Sequence, residues 1–313
     1  MKFFQLVPSN TNIDFISKFP IFIVGSTVLA IFLLVGINTK GFNYGIDFTG
    51  GALVALKFKA PTDSEKVRQI VAEAGAPDAS VVSTDKTQQE YLITAPAGKE
   101  AKDSVPLANR LREKLGDQIT IEKSDNVGPK VGQQLKTSAM LSLFLSILLI
   151  MIYIWLRFDL RFAPGATVAM IHDLVMVAGF YFVTGTEFTI TSIAVLLTVA
   201  GYSVNDTIVV YDRVREIFKI GTGDALPATI NRAINQTLSR TVLTSFVTLI
   251  SVVPIAILCE GELKSFAIGM CIGIFAGTYS TVYIASPMTI YVEKFMAARA
   301  KKKGVVAPRR ANA

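Results

Sequence analysis

The sequence predicts an α-helical polytopic membrane protein with six transmembrane helices and one small external α+β domain between the first two helices. Apolar residues make up 51% of the 313 residues and charged residues 18%, and the apolar residues gather in long blocks. Six blocks are near or above the roughly 18–20 residues that cross a bilayer. A polar segment about the size of a small domain separates the first block from the other five.

The apolar blocks and the polar stretches between them define ten segments. We predict a cytoplasmic N-terminus (1–18), helix 1 (19–37), an extracytoplasmic domain (38–134), helix 2 (135–156), helix 3 (162–184), helix 4 (188–211), a cytoplasmic loop (212–239), helix 5 (240–258), helix 6 (265–291) and a basic cytoplasmic tail (292–313). The first block is long and lacks a convincing cleavage site, so we expect it to be retained as a helix. In the cytoplasmic loop, 214–220 and 228–238 are expected to be amphipathic helical pieces.

The segment 38–134 alternates between strand-like and helix-like periodicity. Strands are predicted at 52–59, 79–84, 90–95 and 117–123, and helices at 62–74 and 99–115. The pattern Thr62-x-x-Glu65 is typical of a capping box, which would begin the first of these helices. The order βαββαβ is that of a ferredoxin-like domain, in which two helices cover one face of a four-stranded sheet.

The charge distribution indicates a membrane orientation and argues against nucleic-acid binding. The net charge is +7, yet Lys264 is the single Lys or Arg in the short loops at 185–187 and 260–264. Lys and Arg instead concentrate in the segments that face the opposite side, so both termini are expected in the cytoplasm. The basic tail with Lys301-Lys302-Lys303 either contacts anionic membrane lipid or a ribosome, or only fixes this topology.

Two glycine-rich stretches flank the predicted external domain, GIDFTGG at 45–51 and VGPKVG at 127–132. Tight glycine and proline chemistry at both ends is compatible with defined hinges and also with ordinary turns. Neither stretch continues into the Lys-Ser/Thr of a phosphate-binding loop. The candidate hinge residues are Gly45, Asp47, Gly50, Gly51, Gly128, Pro129 and Gly132.

Ionisable residues interrupt the predicted spans at Asp206, at Arg240 and at His172-Asp173. A carboxylate in a span costs a few kcal/mol on insertion scales and therefore requires a partner or a function. Counted from the outer ends of helices 4 and 5, Asp206 and Arg240 lie at nearly equal depth, about 27–29 Å at about 1.5 Å per residue. They can meet if their helices are neighbours.

Three interpretations of this pair remain open. Both residues could be interfacial, with Arg240 snorkelling to the headgroups. They could form a static ion pair that joins two helices. Alternatively, Asp206 could take up and release a proton as Arg240 leaves and approaches, because a nearby guanidinium favours the ionised carboxylate. Asn205 and Thr207 would add polar groups within one turn of Asp206.

His172 and Asp173 are adjacent on a helix, so their side chains are expected to diverge by about 100° and not to form a metal site or a catalytic dyad. His172 either titrates near neutrality, in which case it and Asp173 would join Asp206 in a proton relay, or is a hydrogen-bonded packing residue. Asp173 must be neutral or paired. The sequence contains no nucleophile elbow and no metal-ligand spacing, and we predict no cofactor, no metal and no enzymatic activity. Cys259 and Cys271 are expected to be packing residues.

These motifs resemble the SecF members of the bacterial SecD/SecF protein-export family. The resemblance extends over nearly the whole chain and rests on five motifs in order: GIDFTGG at 45–51, VGPKVG at 127–132, His172-Asp173, YSVNDTIVVYDR at 202–213 and TLSRTVLTS at 237–245. Tyr211 stands where many members have Phe.

The resemblance implies an auxiliary subunit of the Sec protein translocase in the bacterial cytoplasmic membrane. It implies pairing with SecD, operation beside the SecYEG channel, SecA and YajC-type subunits, contact with the translocating preprotein, and use of the proton motive force. Asp206 and Arg240 match the family's proton path. Two alternatives remain: half of a drug or lipid exporter of the resistance–nodulation–division kind, and a scaffold that ignores the proton gradient.

Overall fold

The computed structural model describes residues 8, 11–85, 87–97, 106–221 and 224–302. Most of the predicted N-terminal segment up to residue 10 and the predicted tail from residue 303 lie outside these ranges. In chain order the described residues form α1 (Phe19–Lys40), α2 (Ile46–Thr49), β1 (Gly51–Phe58), α3 (Ser64–Glu73), β2 (Ser80–Ser83), β3 (Glu90–Pro96), α4 (Leu107–Leu115), a 3₁₀ turn (Gly116–Gln118), β4 (Ile119–Val127), α5 (Pro129–Arg157), α6 (Ala163–Thr184), α7 (Ile190–Ile220), α8 (Leu226–Leu258), α9 (Gly261–Ser280), a π-helical turn (Thr281–Ala285) and α10 (Ser286–Lys302).

Six helical stretches among the described residues are long and apolar enough to cross a membrane. They are α1, α5, α6, α7, α8 and the continuous stretch Gly261–Arg299, which joins α9, the π-helical turn and α10. The prediction of six transmembrane helices is therefore confirmed. The two amphipathic pieces predicted at 214–220 and 228–238 are not separate helices, because α7 and α8 run through them without a break.

The chain divides into two compact units. The helical unit comprises the described residues of Met1–Phe42, Leu143–Thr186 and Ala194–Ala313, and the sheet unit comprises Asn43–Ser142 and Glu187–Ile193. The first turn of α7 thus belongs to the sheet unit, although the rest of that helix belongs to the helical unit.

The sheet unit contains the predicted βαββαβ domain. Its four strands lie in the order β2-β3-β1-β4, and every neighbouring pair is antiparallel. Leu53 on the central strand β1, for example, pairs with Thr94 on β3 and Asp125 on β4. Alternate strand residues face α3 and α4 and form a core in which Val54, Ile93 and Leu111 are fully buried. Each such side chain contributes about 1.5–3 kcal/mol of hydrophobic stabilisation.

Two local predictions in this domain were wrong. The N-cap of α3 is Asp63, which makes no capping side-chain hydrogen bond, and the Thr62 hydroxyl donates instead to the Ala60 carbonyl at 3.1 Å. The predicted capping box does not form because Thr62 lies one residue before the cap position. Pro106 is not inside a helix but is the N-cap of α4, since its ring disfavours helical conformation in the residue before it. The start predicted at residue 99 lies outside the described residues.

Small residues bring α9 against α7 in the helical unit. An added Cβ at Gly273 would lie 2.1 Å from Val199 Cγ2, and one at Gly277 would lie 3.1 Å from Ser203 Cβ. Glycine at this four-residue spacing lets two helices approach closely, as the sequence pattern predicts. The close approach lets Ser203 on α7 and Ser280 on α9 reach the same residue, Asp173 on α6.

Candidate functional site

Asp206 lies on α7 with 3% of its surface exposed. Its Oδ2 atom is buried and has no hydrogen-bond partner within the described part of the chain. Buried polar groups in folded proteins are nearly always hydrogen-bonded, so an orphaned carboxylate oxygen requires an explanation. Strain or a functional role is the usual reason, and an ionisable group inside a membrane span is a candidate for a functional role.

Arg240 lies on α8, and its side chain is exposed. It is the residue that the sequence predicts as the partner of the Asp206 carboxyl. None of the ion pairs found among the described residues joins the two side chains within 4.0 Å, however. The static ion pair is therefore absent from this conformation, and the Asp206 side chain is buried among the helices. The exposed Arg240 remains compatible with snorkelling.

Asp173 on α6 is fully buried, and it accepts hydrogen bonds from two other helices. The Ser203 hydroxyl on α7 donates to Asp173 Oδ2 at 2.5 Å, and the Ser280 hydroxyl on α9 donates to the same oxygen at 2.6 Å. His172 Nδ1 lies 2.9 Å from Asp173 Oδ1. We call these four residues the Asp173 node. Because the node satisfies both carboxylate oxygens, it connects α6, α7 and α9.

The expected divergence of His172 and Asp173 was wrong. Their Cβ atoms do point apart, but the side-chain torsions turn the imidazole back onto the carboxylate, where a hydrogen bond is gained. His172 Nε2 is buried without a hydrogen-bond partner among the described residues. The side chain lines a mainly apolar cavity of about 520 Å³ between α1, α6 and α9. No group of three or more metal-ligating side chains occurs in the described ranges.

Two further polar contacts continue from the node along α7 at four-residue spacing. Thr207 Oγ1 lies 3.0 Å from Thr281 Oγ1 in the π-helical turn. The Tyr211 hydroxyl donates to the Ala285 carbonyl at 2.8 Å. A π-helical turn breaks the regular α-helical hydrogen-bond pattern and often marks a functional site. Here Tyr211 bonds a backbone carbonyl of the irregular turn, and Thr207 bonds one of its side chains.

The site that sequence reasoning proposed is thus only partly assembled. Asp206 and Thr207 are buried, whereas Asn205 lies on the exposed face of α7 and its side chain makes no hydrogen bond among the described residues. Ser280, Thr281 and Tyr211 were missed, since their partners are distant in the chain. The spacing of Ser203, Thr207 and Tyr211 along one helical face was the available signal.

The two glycine stretches pack against each other in the sheet unit. Gly50 has φ +73°, and an added Cβ would lie 2.7 Å from the Pro129 Cα. A Cβ at Gly132 would lie 2.8 Å from the Gly50 nitrogen, and one at Gly51 would lie 2.2 Å from the Ala95 carbonyl oxygen. Gly128 has open space around it. The stretches therefore form one compact junction, and whether it acts as a hinge stays a prediction.

Family models match most of the chain. The model of the SecD/SecF protein export membrane protein C-terminal region matches residues 108–295, which is more than half of the sequence. The chain belongs to the SecD/SecF protein-export family. The model of the SecD/SecF GG motif matches residues 35–62, which include the first glycine stretch.

Named relatives in this family are protein translocase subunits. SecF of Calditerrivibrio nitroreducens is 37% identical over 302 residues, which are 93% of this chain and 98% of that protein. SecDF of Thermus thermophilus is 36% identical over 275 residues, 86% of this chain but 37% of that longer protein.

A crystal structure of SecDF from Thermus thermophilus superposes with a TM-score of 0.81 at 33% identity and covers 92% of this chain. This chain spans 40% of the length of that SecDF chain. A second SecDF structure, in a super-membrane-facing form, has a TM-score of 0.70 and covers 96% of this chain. The likeness supports the fold of six membrane helices with one small sheet domain, and it shows that some family members fuse SecD and SecF.

Proposed function

We propose that this protein is an auxiliary subunit of the Sec protein translocase that, with SecD, uses the proton motive force to complete preprotein translocation. Membership of the SecD/SecF family supports the subunit assignment. The observation that carries the mechanism is Asp206, a buried carboxyl on a membrane helix with one oxygen unpartnered and no ion pair to Arg240.

A carboxyl in this position has two distinct states. When it is protonated, the apolar surroundings are tolerated without a counter-charge. When it is ionised, it attracts a cation such as the Arg240 guanidinium. Each proton that crosses the membrane supplies roughly 2.3 kcal/mol per 100 mV, which is enough to bias two helix arrangements of similar free energy.

The neighbouring contacts offer a route from protonation to movement. Thr207 follows Asp206 directly and bonds Thr281 in the π-helical turn. A shift of α7 would exchange this contact, because the turn is already irregular. Asn205 and Arg240, both on exposed surfaces, are available to a partner subunit. A polar residue at a membrane-exposed position favours contact with another helix over contact with lipid.

The proposed setting is the bacterial cytoplasmic membrane, with both termini in the cytoplasm and the sheet domain outside. SecD is the partner that the fused relatives support. SecYEG, SecA, YajC-type subunits and the preprotein complete the proposed assembly. We propose no enzymatic step for this chain. The translocase names of the relatives favour this function over a drug or lipid exporter.

The test is export of a preprotein into inverted membrane vesicles that contain the complex with Asp206→Asn or with Arg240→Met. We expect both variants to assemble and to lose the part of export that a protonophore abolishes. Asp224→Asn is the matched control, because it changes an exposed carboxylate that pairs with Arg232 at 3.6 Å near the N-terminus of α8.

If assembled Asp206→Asn complexes keep a normal protonophore-sensitive fraction, the proton-relay mechanism is wrong and the scaffold alternative is favoured. If export is normal in every vesicle but resistance to toxic compounds falls in cells, the exporter alternative is favoured instead.

A further inference from the structure

The N-terminus of α7, the helix that carries Asp206, is held by the first glycine stretch. Phe188 N–H donates to the Asn43 carbonyl at 2.7 Å, and Gly45 N–H donates to the Phe188 carbonyl at 3.0 Å. These two bonds form a parallel bridge between Tyr44 and Phe188. Two backbone segments almost 150 residues apart are thus hydrogen-bonded immediately before α7 begins.

Asp47 supplies the next contact. Its Oδ2 accepts the backbone N–H of Ile190, the first residue of α7, at 3.1 Å. The first N–H groups of a helix have no partner within the helix, and a carboxylate at this end also interacts favourably with the helix dipole. Asp47 therefore caps α7 from a position 143 residues away in the chain.

Side-chain packing reinforces these bonds. Phe188 is 2% exposed and Phe48 is 3% exposed, and their ring centroids lie 6.2 Å apart. Tyr44 contacts both rings edge-on. An added Cβ at Gly45 would lie only 2.7 Å from Thr189 Cγ2. The α7 start is therefore packed as tightly as a domain core, and residues Glu187–Ile193 belong to the sheet unit.

Asp47 is also connected directly to the sheet. It lies in the single-turn helix α2, and the Gly50 N–H closes that turn on the Ile46 carbonyl at 2.8 Å. Strand β1 begins at the next residue, Gly51. Asp47 is therefore connected to the sheet by a short, hydrogen-bonded segment. On the other side of the contact, α7 continues as one helix for the roughly 24 Å from Ile190 to Asp206.

We propose that Asp47 is a positioning residue that fastens the start of α7 to the sheet unit, so that α7 transmits displacement between the sheet unit and Asp206. This inference rests on the proposed function and adds a residue to it. The Asp47–Ile190 hydrogen bond stays formed throughout the export cycle. The moving element is then α7, which acts as a lever, and the glycine stretch does not act as a free hinge.

Two variants remove the contact from opposite sides. Asp47→Ala removes the acceptor, and Ile190→Pro removes the donor at the first helical position, where proline is tolerated. Asp47→Asn keeps a side-chain carbonyl that can accept the bond. Asp63→Ala is the matched control, because Asp63 is an N-cap in the same domain that makes no capping side-chain hydrogen bond.

The readout is the protonophore-sensitive fraction of export in the inverted vesicles. We expect Asp47→Ala and Ile190→Pro to lower it about tenfold, since losing a hydrogen bond to a charged group shifts an equilibrium by about this factor. The proton-independent part of export should persist. Asp47→Asn should retain most of the sensitive fraction, and Asp63→Ala should retain all of it.

A disulfide can replace the lost bond. Gly45 has φ −68°, a value that other residues adopt, and an added Cβ there would lie 2.7 Å from Thr189 Cγ2, so that cysteines at 45 and 189 would be in contact. In a background with Cys259→Ser and Cys271→Ser, the pair Gly45→Cys and Thr189→Cys is added to Asp47→Ala. Oxidation should restore the sensitive fraction and reduction should abolish it again, a reversal that a general folding defect would not produce.

Three results would overturn the inference. The first is a normal sensitive fraction in both Asp47→Ala and Ile190→Pro when Asp206→Asn has lost it. The second is failure of the oxidised pair to restore Asp47→Ala, and the third is a block of export when the same pair is oxidised with Asp47 present. If Asp206→Asn itself keeps a normal sensitive fraction, the proposed function fails and this inference fails with it.

Discussion

Asp173 on α6 and Asp206 on α7 are both buried carboxyl groups of the helical unit, but their surroundings differ. Asp173 is hydrogen-bonded to Ser203, Ser280 and His172, so both of its carboxylate oxygens have partners. Asp206 has an orphaned oxygen and no ion pair among the described residues. Burial of a carboxyl is thus stabilising for the fold in one place and unfavourable in the other.

This difference separates a structural role from a switching role. A carboxylate with every lone pair satisfied holds its helices together, and changing its charge would break several bonds at once. A carboxylate with an unpartnered oxygen gives up little when it takes a proton. The comparison therefore indicates a stabilising role for the Asp173 node and agrees with the proton exchange proposed for Asp206.

The largest effect is expected when the same substitution is made at both sites. Asp173→Ala should lower the free energy of unfolding by about 3–5 kcal/mol, because it removes the acceptor that Ser203 and Ser280 share and the partner of the His172 imidazole inside the bundle. Asp206→Ala should change it by at most about 1 kcal/mol, because few contacts are lost and an unfavourable burial is relieved. Unfolding of the purified chain by SDS in mixed micelles measures both values. Equal destabilisation at the two sites would contradict the division of roles.

An intermediate effect is expected from the helix contact that assembles the Asp173 node. Gly273→Ala should destabilise the protein by about 1–3 kcal/mol, because the new methyl group would overlap the buried Val199. Gly201→Ala is the control, since that glycine is exposed on α7 and has no atom near its Cβ position. The control should be neutral or stabilising by up to about 1 kcal/mol, as alanine favours helix. The same SDS titration measures the free energy of unfolding of both variants. A similar loss of stability in Gly201→Ala and Gly273→Ala would refute the packing argument.

The smallest effect is expected at Asp85, a carboxylate that is hydrogen-bonded like Asp173 but lies in the solvent-accessible sheet unit. The Thr87 hydroxyl, together with the backbone N–H groups of Glu90 and Gln89, holds the pKa of Asp85 below its usual 3.8. A lowered folded-state pKa stabilises the fold above the unfolded-state pKa, and this contribution disappears as the pH falls through the folded value. Asp85→Asn should therefore be slightly less stable than the wild type at pH 6.

That difference should shrink as the pH falls from about 5 to about 2. Chemical unfolding of the full chain and the variant at both ends of this range tests the sign. A difference that is constant or grows on acidification would show that these hydrogen bonds do not favour the ionised form.

Much of the fold could be predicted from local patterns. Length and polarity of the apolar runs locate six spans, because a lipid environment requires each span to satisfy its own backbone hydrogen bonds. Strand and helix periodicities locate the βαββαβ domain, and the structure places β1 and β3 within a residue or so of expectation. The predicted capping box at Thr62 and the predicted helix through Pro106 were wrong, because the start of a helix depends on the backbone conformation of one or two residues.

The candidate site was less predictable. Asp206 stands out in the sequence because a carboxylate in a span is costly wherever the span packs. Its unpartnered oxygen, the absence of an ion pair to Arg240 in the described structure and the exposure of Asn205 depend on how the helices rotate against each other. A periodic pattern indicates which residues share a face, but not which partner that face meets.

The sequence by itself therefore determined that this protein spans a membrane six times, carries a small sheet domain and places a carboxyl inside a span, where an unpaired charge is costly. These properties follow from residue composition over short windows. Only the tertiary structure decided that Ser203 and Ser280 satisfy Asp173, and that Asp47 caps the helix of Asp206. Their partners lie 30, 107 and 143 residues away, and only chain packing brings such residues together.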